Sequence, residues 1–184
     1  MAITLNGSGT VSGISAGGLP DGIIQSADLA SGVGGKILQV VTTKKTDAFT
    51  TTSSTYVDVM TATITPTSNT SKILVRFMVN GGTAGDVGHL YVAMFRDSTE
   101  IGSADAAGSR TVASNVINTI TQSTHSYTNE ILDTPATDSA ITYRIKILAK
   151  NNATANINRS ARDNNAHTHD GRSTSFITLM EVAA

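Results

Sequence analysis

The chain has 184 residues and neither cysteine nor tryptophan. Without Cys there is no disulfide staple, no thiolate zinc site and no cysteine nucleophile, and folding in a reducing cytoplasm is expected. Aromatic residues number only four Phe and four Tyr, which limits what the core of a lone monomer can contribute. Oligomerisation is the expected compensation. Charge of either sign is also scarce: the formal net charge is −1, so no electrostatic case exists for nucleic acid or an anionic membrane surface as partner. No apolar run approaches the ~20 residues that span a bilayer, and membrane insertion is not expected. The opening Met1-Ala2-Ile3-Thr4-Leu5-Asn6 turns polar at once. It therefore lacks the basic-plus-apolar pattern of a signal peptide, and export by the usual secretory route is not expected.

What the chain does have is a change of texture near Gly34-Gly35. Residues 1–35 are rich in Gly, Ser and Ala, with short extended pieces at Ile3–Leu5 and Val11–Ile14 broken by glycine. Leu19-Pro20-Asp21-Gly22 is a turn signature, because proline presets φ and Asp-Gly tolerates positive φ. Ser26 is placed to cap a single helical turn. Such a segment buries too little apolar surface to order itself. It reads as an extended linker ahead of a compact domain at 36–184.

From Lys36 onward the signal is β. Ile37 to Thr43 is a β-branched run bounded by Lys44-Lys45, a pair that reads as a solvated turn. Tyr56 to Ile64 starts with Val57 and Val59 inward and then shifts phase to Met60, Ala62 and Ile64. A one-residue slip of that kind is what a β-bulge produces. Ile73, Val75, Phe77 and Val79 form a period-2 stripe that is expected to end at Asn80-Gly81-Gly82. Further strands are expected at His89–Arg96, Asn129–Leu132, Ile141–Ile147, Ala155–Arg159 and Phe176–Val182. The first and the last of these, His89–Arg96 and Phe176–Val182, are apolar on both faces, so each needs cover from a second layer or a neighbouring subunit. No stretch keeps a 3.6-residue period over three turns. The expected fold is all-β, an antiparallel β-sandwich or jelly roll. Two long polar insertions, Ser103–Tyr127 and Ser160–Ser173, are either functional or packed by neighbours.

Several phrases then become familiar in their order: T-Y-V-D-V at 55–59, I-T-P-T-S-N-T-S-K-I-L-V at 64–75, F-R-D-S-T-E-I-G at 95–102, A-A-G-S-R-T at 106–111, I-N-R-S at 157–160 and T-S-F-I-T-L-M-E-V at 174–182. Together they resemble the β-rich head domains of structural proteins in tailed phages, especially those of aquatic bacteria. The opening I-T-L-N-G-S-G-T-V with L-P-D-G-I-I-Q-S-A-D-L-A resembles the connecting segments of phage tail-fibre chains. The resemblance covers nearly the whole chain. It implies a trimeric virion appendage with jelly-roll heads similar to those of C1q and tumour necrosis factor, assembled in the host cytoplasm and carried on the virion. It brings no catalytic residues.

The residues offer little chemistry of their own. His167-Thr168-His169-Asp170 is the sharpest constellation, since imidazoles at i and i+2 of an extended chain point to one side and can share a metal. In a trimer three such pairs near the axis would surround one ion. A solvated loop is the stronger reading of a single H-x-H among Asn, Asp and Arg. Asp86 and His89 lie beside Gly81-Gly82 and Gly85, yet no G-x-S-x-G elbow accompanies them, and Gly7-Ser8-Gly9 and Gly102-Ser103 lack the strand-to-helix context a nucleophile needs. Glu100, Asp105, Glu130 and Asp133 read as solvated strand ends rather than a sugar-cutting pair. Gly32–Lys36 lacks the hydroxyl of a phosphate loop. The N-x-[ST] triplets at Asn6, Asn69, Asn152 and Asn158 carry no weight without a secretory context.

The reading is therefore a protein that is not an enzyme, has no catalytic or cofactor-binding residues and needs no cofactor. Residues 1–35 are expected to attach it to other virion proteins and residues 36–184 to form a homotrimeric head. A tail fibre or receptor-binding adhesin, touching a host surface glycan or protein, is the first function. A capsid decoration protein is the second, and a small β-sandwich hydrolase or free lectin domain the third. Leu90, Val92 and Met94, or else Phe176, Met180 and Val182, are expected at the subunit interface.

Overall fold

The computed structural model describes residues 36–84, 88–118 and 124–184. The expected Leu19–Gly22 turn and the capped turn at Ser26 lie outside them. The chain divides into two units, Met1–Lys36 and Ile37–Ala184. Among the described residues of the second there are eleven strands and no helix.

One sheet is built from β1 (Ile37–Lys45), β11 (Ser175–Val182), β4 (Lys72–Ala84), β10 (Thr154–Ile157) and β2 (Phe49–Thr51), with β8 (His125–Asp133) on the other side of β4. The other runs β3 (Val57–Ile64), β9 (Ile141–Lys150), β5 (His89–Arg96), β6 (Thr99–Ile101), with β7 (Asn115–Asn118) also on β5. Every pairing is antiparallel. Both sheets contribute to a single hydrophobic core, the arrangement of a β-sandwich. The period-2 stripes supply it: Ile73, Val75, Phe77 and Val79 from β4, Ile177 and Leu179 from β11, Leu90, Val92 and Met94 from β5, and Ile141, Tyr143, Ile145 and Ile147 from β9 are buried together.

The phase slip in β3 is a bulge. The β3–β9 register shifts between Asp58 and Met60, and Val59 and Met60 are consecutive buried residues. The extra residue lets Val57 begin the strand in one phase while Ala62 and Ile64 finish it in the other.

Several expected boundaries are wrong. The stripe in β4 does not end at Asn80-Gly81-Gly82 but continues to Ala84. Gly81 is there because a second strand comes close: a Cβ on it would sit 2.6 Å from the Asn156 carbonyl oxygen. Lys44 and Lys45 belong to β1 rather than to a turn, and Lys45 Nζ pairs with Asp47 at 2.7 Å. Asn129–Leu132 is only the end of β8, which starts at His125. The Ser103–Tyr127 insertion is accordingly shorter than expected and contains β7.

The register fixes which connections share an end of the sandwich. β1 begins opposite Val182, and β4 begins opposite that same residue. Ile73 pairs with Asp133 and Ile64 with Ile141. Chain entry at Ile37, the final strand's last residue and the connections 65–71 and 134–140 are therefore together. Lys45 pairs with Ser175, Gly81 with both His125 and Ile157, and His89 with Lys150. The connections 151–153 and 158–174 gather at this opposite end.

Candidate functional site

The sequence-level chemical candidates do not assemble. Asp86 and Gly85 lie outside the described residues. His89 is half-buried on β5 with its ring 6.2 Å from that of Tyr91. Asp105 and Glu130 are exposed, and Glu100 accepts a hydrogen bond from Ser103 Oγ. Asp133, however, is not a solvated strand end. Its side chain is 11 % exposed and takes Arg96 Nη1 on both oxygens, at 2.8 and 2.9 Å, and the Tyr143 hydroxyl at 2.7 Å. Burial, and then the hydrogen bond to Asp133, push the Tyr143 phenol well above its usual range, so it stays a donor. The triad pins β8 of one sheet to β5 and β9 of the other. A tyrosine on an inward stripe needs a polar partner for its hydroxyl, which was the signal in the sequence that something like Asp133 had to be near.

His167 and His169 are exposed, and the backbone around them is turned rather than extended: Asp170 N donates to His167 O at 3.1 Å and Gly171 N to His169 O at 3.1 Å. The alternation that would align two imidazoles on one side is therefore missing. Among the described residues no group of three or more His, Asp or Glu side chains is placed to hold a metal ion.

Surfaces are more informative. The outer face of the β1–β11–β4–β8 layer carries cross-strand rows set by the register. Val40, Met180, Leu74 and Leu132 form one row, and Phe176 and Met78 lie in another. Between them runs the polar row Thr42, Thr178, Arg76 and Glu130. Val40 is 56 % and Leu132 51 % exposed, and Ile37 and Leu38 at the start of β1 are exposed too. Leu74 and Met180, between Val40 and Leu132 in the row, are half-buried.

The outer face of the other sheet is wet. Thr63 and Thr142 share a hydroxyl bond of 2.9 Å, and Asp58 pairs with Arg144 at 2.8 Å and Lys146 at 3.4 Å. Where β5 is apolar on this side, the chain covers itself. Tyr56 stands edge-on to Phe95 with centroids 5.6 Å apart, and its hydroxyl donates to Val112 O at 2.6 Å. Leu90, Val92 and Met94 are fully buried in the core of a single chain. They do not lie at a subunit interface, and the alternative set, Phe176, Met180 and Val182, is the one on an open face.

The 158–174 loop is a built structure. Asn158, at φ 59°, donates from Nδ2 to Lys45 O and Asp47 O and accepts from Ser175 Oγ at 2.7 Å, which fixes the base. Above it Asp163 holds Arg159 at 3.3 Å and Arg172 at 2.8 Å. Arg162 donates through Nε and Nη2 to the two oxygens of Asp170, both at 2.8 Å, and this fork holds the Asp170 carboxyl well below the usual carboxylate range.

Sequence reasoning missed one buried charge. Glu181 falls on the inward phase of β11 and is fully buried. It accepts from Thr67 N and Thr67 Oγ1 at 2.7 Å each and from Gln39 Nε2 at 2.6 Å, tying the β3–β4 connection to β11 and β1. Burial pushes its pKa up, but hydrogen bonds from Thr67, Gln39 and Ser71 outweigh that and hold it at about 2 against an ordinary 4.5. A depressed carboxylate contributes stability above its unfolded pKa and loses it as pH falls towards its folded one. The Glu181 contribution is thus complete above about pH 4.5 and fades between there and about pH 2. Glu181→Gln should cost about 1.5–3 kcal/mol at pH 7, with the difference from wild type shrinking across that acid window. Urea unfolding as a function of pH checks this; a pH-independent difference would contradict it.

No family model matches the chain, and no curated protein matches it either.

Proposed function

We propose that the protein is a non-enzymatic structural component of a tailed-phage virion, a trimeric tail fibre or receptor-binding adhesin. The observation that carries this reading is the pair of unlike features on one sandwich: an open apolar sheet face for self-association, and a rigid loop at the end away from chain entry for contact. A jelly roll of the C1q and tumour-necrosis-factor type is the finer reading of the fold. The neighbour order β1, β11, β4, β8 opposite β3, β9, β5, β7 supports it.

In this account three chains meet through the face carrying Val40, Met180, Leu74 and Leu132. Residues 1–35 attach the trimer to other virion proteins, and the loop end faces the host. Repeated weak contacts give firm adhesion without a tight single site. Deletion of residues 1–35 tests the division of labour. The truncated chain should unfold cooperatively like the full chain and fail to enter particles. Loss of cooperative unfolding, or normal incorporation, would contradict it.

A further inference from the structure

We propose that residues 164–169, the tip of the 158–174 loop, are the receptor contact, and that their ligand is a neutral carbohydrate; this rests on the adhesin reading. The tip reads Asn164-Asn165-Ala166-His167-Thr168-His169, six consecutive exposed residues without an Asp, Glu, Lys or Arg among them.

Its backbone is held while its side chains are not. Asn164 N donates to Asp170 Oδ2 at 2.8 Å, Ala166 N to Asn164 Oδ1 at 2.9 Å and His167 N to Asn164 O at 3.0 Å. Among the described residues the side chains of Asn165, His167, Thr168 and His169 have no hydrogen-bond partner. Four free donor-and-acceptor groups on a fixed arch lose little ordering entropy on binding, which is the physical basis of preorganised recognition.

The chemistry of the tip selects the partner class. Amides, a hydroxyl and imidazole rings offer hydrogen-bond donors and acceptors, as the hydroxyls of a sugar do. A polyanion needs free cations, but Arg159, Arg162 and Arg172 at the base of the loop are each committed to Asp163 or Asp170. A protein partner is best held by Trp, Tyr or Arg anchors in desolvated pockets, and the tip offers none. The loop also lies at the end of the sandwich opposite Ile37, so a chain attached through its N-terminal side presents this tip outward.

The test uses the full-length chain, fluorescently labelled, on a panel of bacterial strains. Cells that bind it are then treated with periodate, which cleaves vicinal diols, or with a protease. The quadruple variant Asn165→Ala, His167→Ala, Thr168→Ala, His169→Ala is compared with wild type on the same cells and on immobilised neutral and uronic-acid-bearing oligosaccharides. The expected result is binding abolished by periodate and spared by protease. The variant should bind at least tenfold less while keeping its solution mass and unfolding midpoint, and the oligosaccharides bound should be neutral. Cell binding that survives periodate, favours the acidic sugars or is undiminished in the variant overturns the tip assignment and leaves the adhesin reading standing. So does a variant that falls apart into monomers, since the tip would then be a contact between copies. Failure to bind any strain counts against the adhesin reading and removes the proposal with it.

Discussion

Met180→Lys should turn the proposed trimer into a folded monomer, whereas Val92→Asp should give no folded protein at all. The two residues look alike in sequence, each apolar in a strand that is apolar on both faces. They differ in what covers them. Val92 is fully buried between the sheets, and an aspartate there is an unpaired charge in a dry core, a cost of several kcal/mol against a total stability of about 5–15 kcal/mol. Met180 sits on the open face between Val40 and Leu74. A lysine there keeps its ammonium in water in the lone chain and loses that water only on association. Sedimentation equilibrium with circular dichroism separates the cases. A Met180→Lys chain that stays trimeric would remove this face from the interface, and a folded Val92→Asp chain would contradict the core assignment.

The second large effect belongs to Asp133. Asp133→Ala leaves the fully buried Tyr143 without its acceptor and takes the carboxylate from Arg96. Because Arg96 keeps some contact with water, its side chain being 29 % exposed, the loss should be about 2–4 kcal/mol, below the cost of breaking a fully buried pair. Tyr143→Phe alone should cost about 1 kcal/mol. In the Asp133→Ala background the same change should be close to neutral, since it then removes an orphaned hydroxyl. A double-mutant cycle in urea measures the difference. Additive losses would mean that the three groups do not act together.

These two experiments also mark what was legible in the sequence. Period-2 stripes gave the inward residues of β4 and β9 correctly, and the phase slip at Val59-Met60 located a bulge to the residue, because one buried face forces the pattern. Where both phases are apolar, as in β5 and β11, periodicity carries no information about which face is open. That was decided by distant chain: Tyr56 and the Val112 carbonyl cover the outer side of β5, and nothing comparable among the described residues covers β11. The inward Tyr143 called for a polar partner, but which residue supplies it, and the hydrogen-bonded carboxylate of Glu181, were not legible for a related reason. Arg96 lies far along the chain from Asp133, as Thr67 and Gln39 do from Glu181, and only the folded register brings them together. The Ser160–Ser173 insertion was visible as a long polar loop, but its internal Arg-Asp pairing was not. That pairing makes it a fixed arch instead of a solvated excursion.

Cryo-electron microscopy of virions purified from cells that make the chain is the direct test of the virion proposal. The expected result is density at the tail, in a few trimers, with the Ile37 end toward the particle and the 158–174 loops pointing away. Density spread over the capsid lattice in many copies would make the shell the ligand and the protein a decoration subunit. Particles without the chain would contradict the virion assignment altogether.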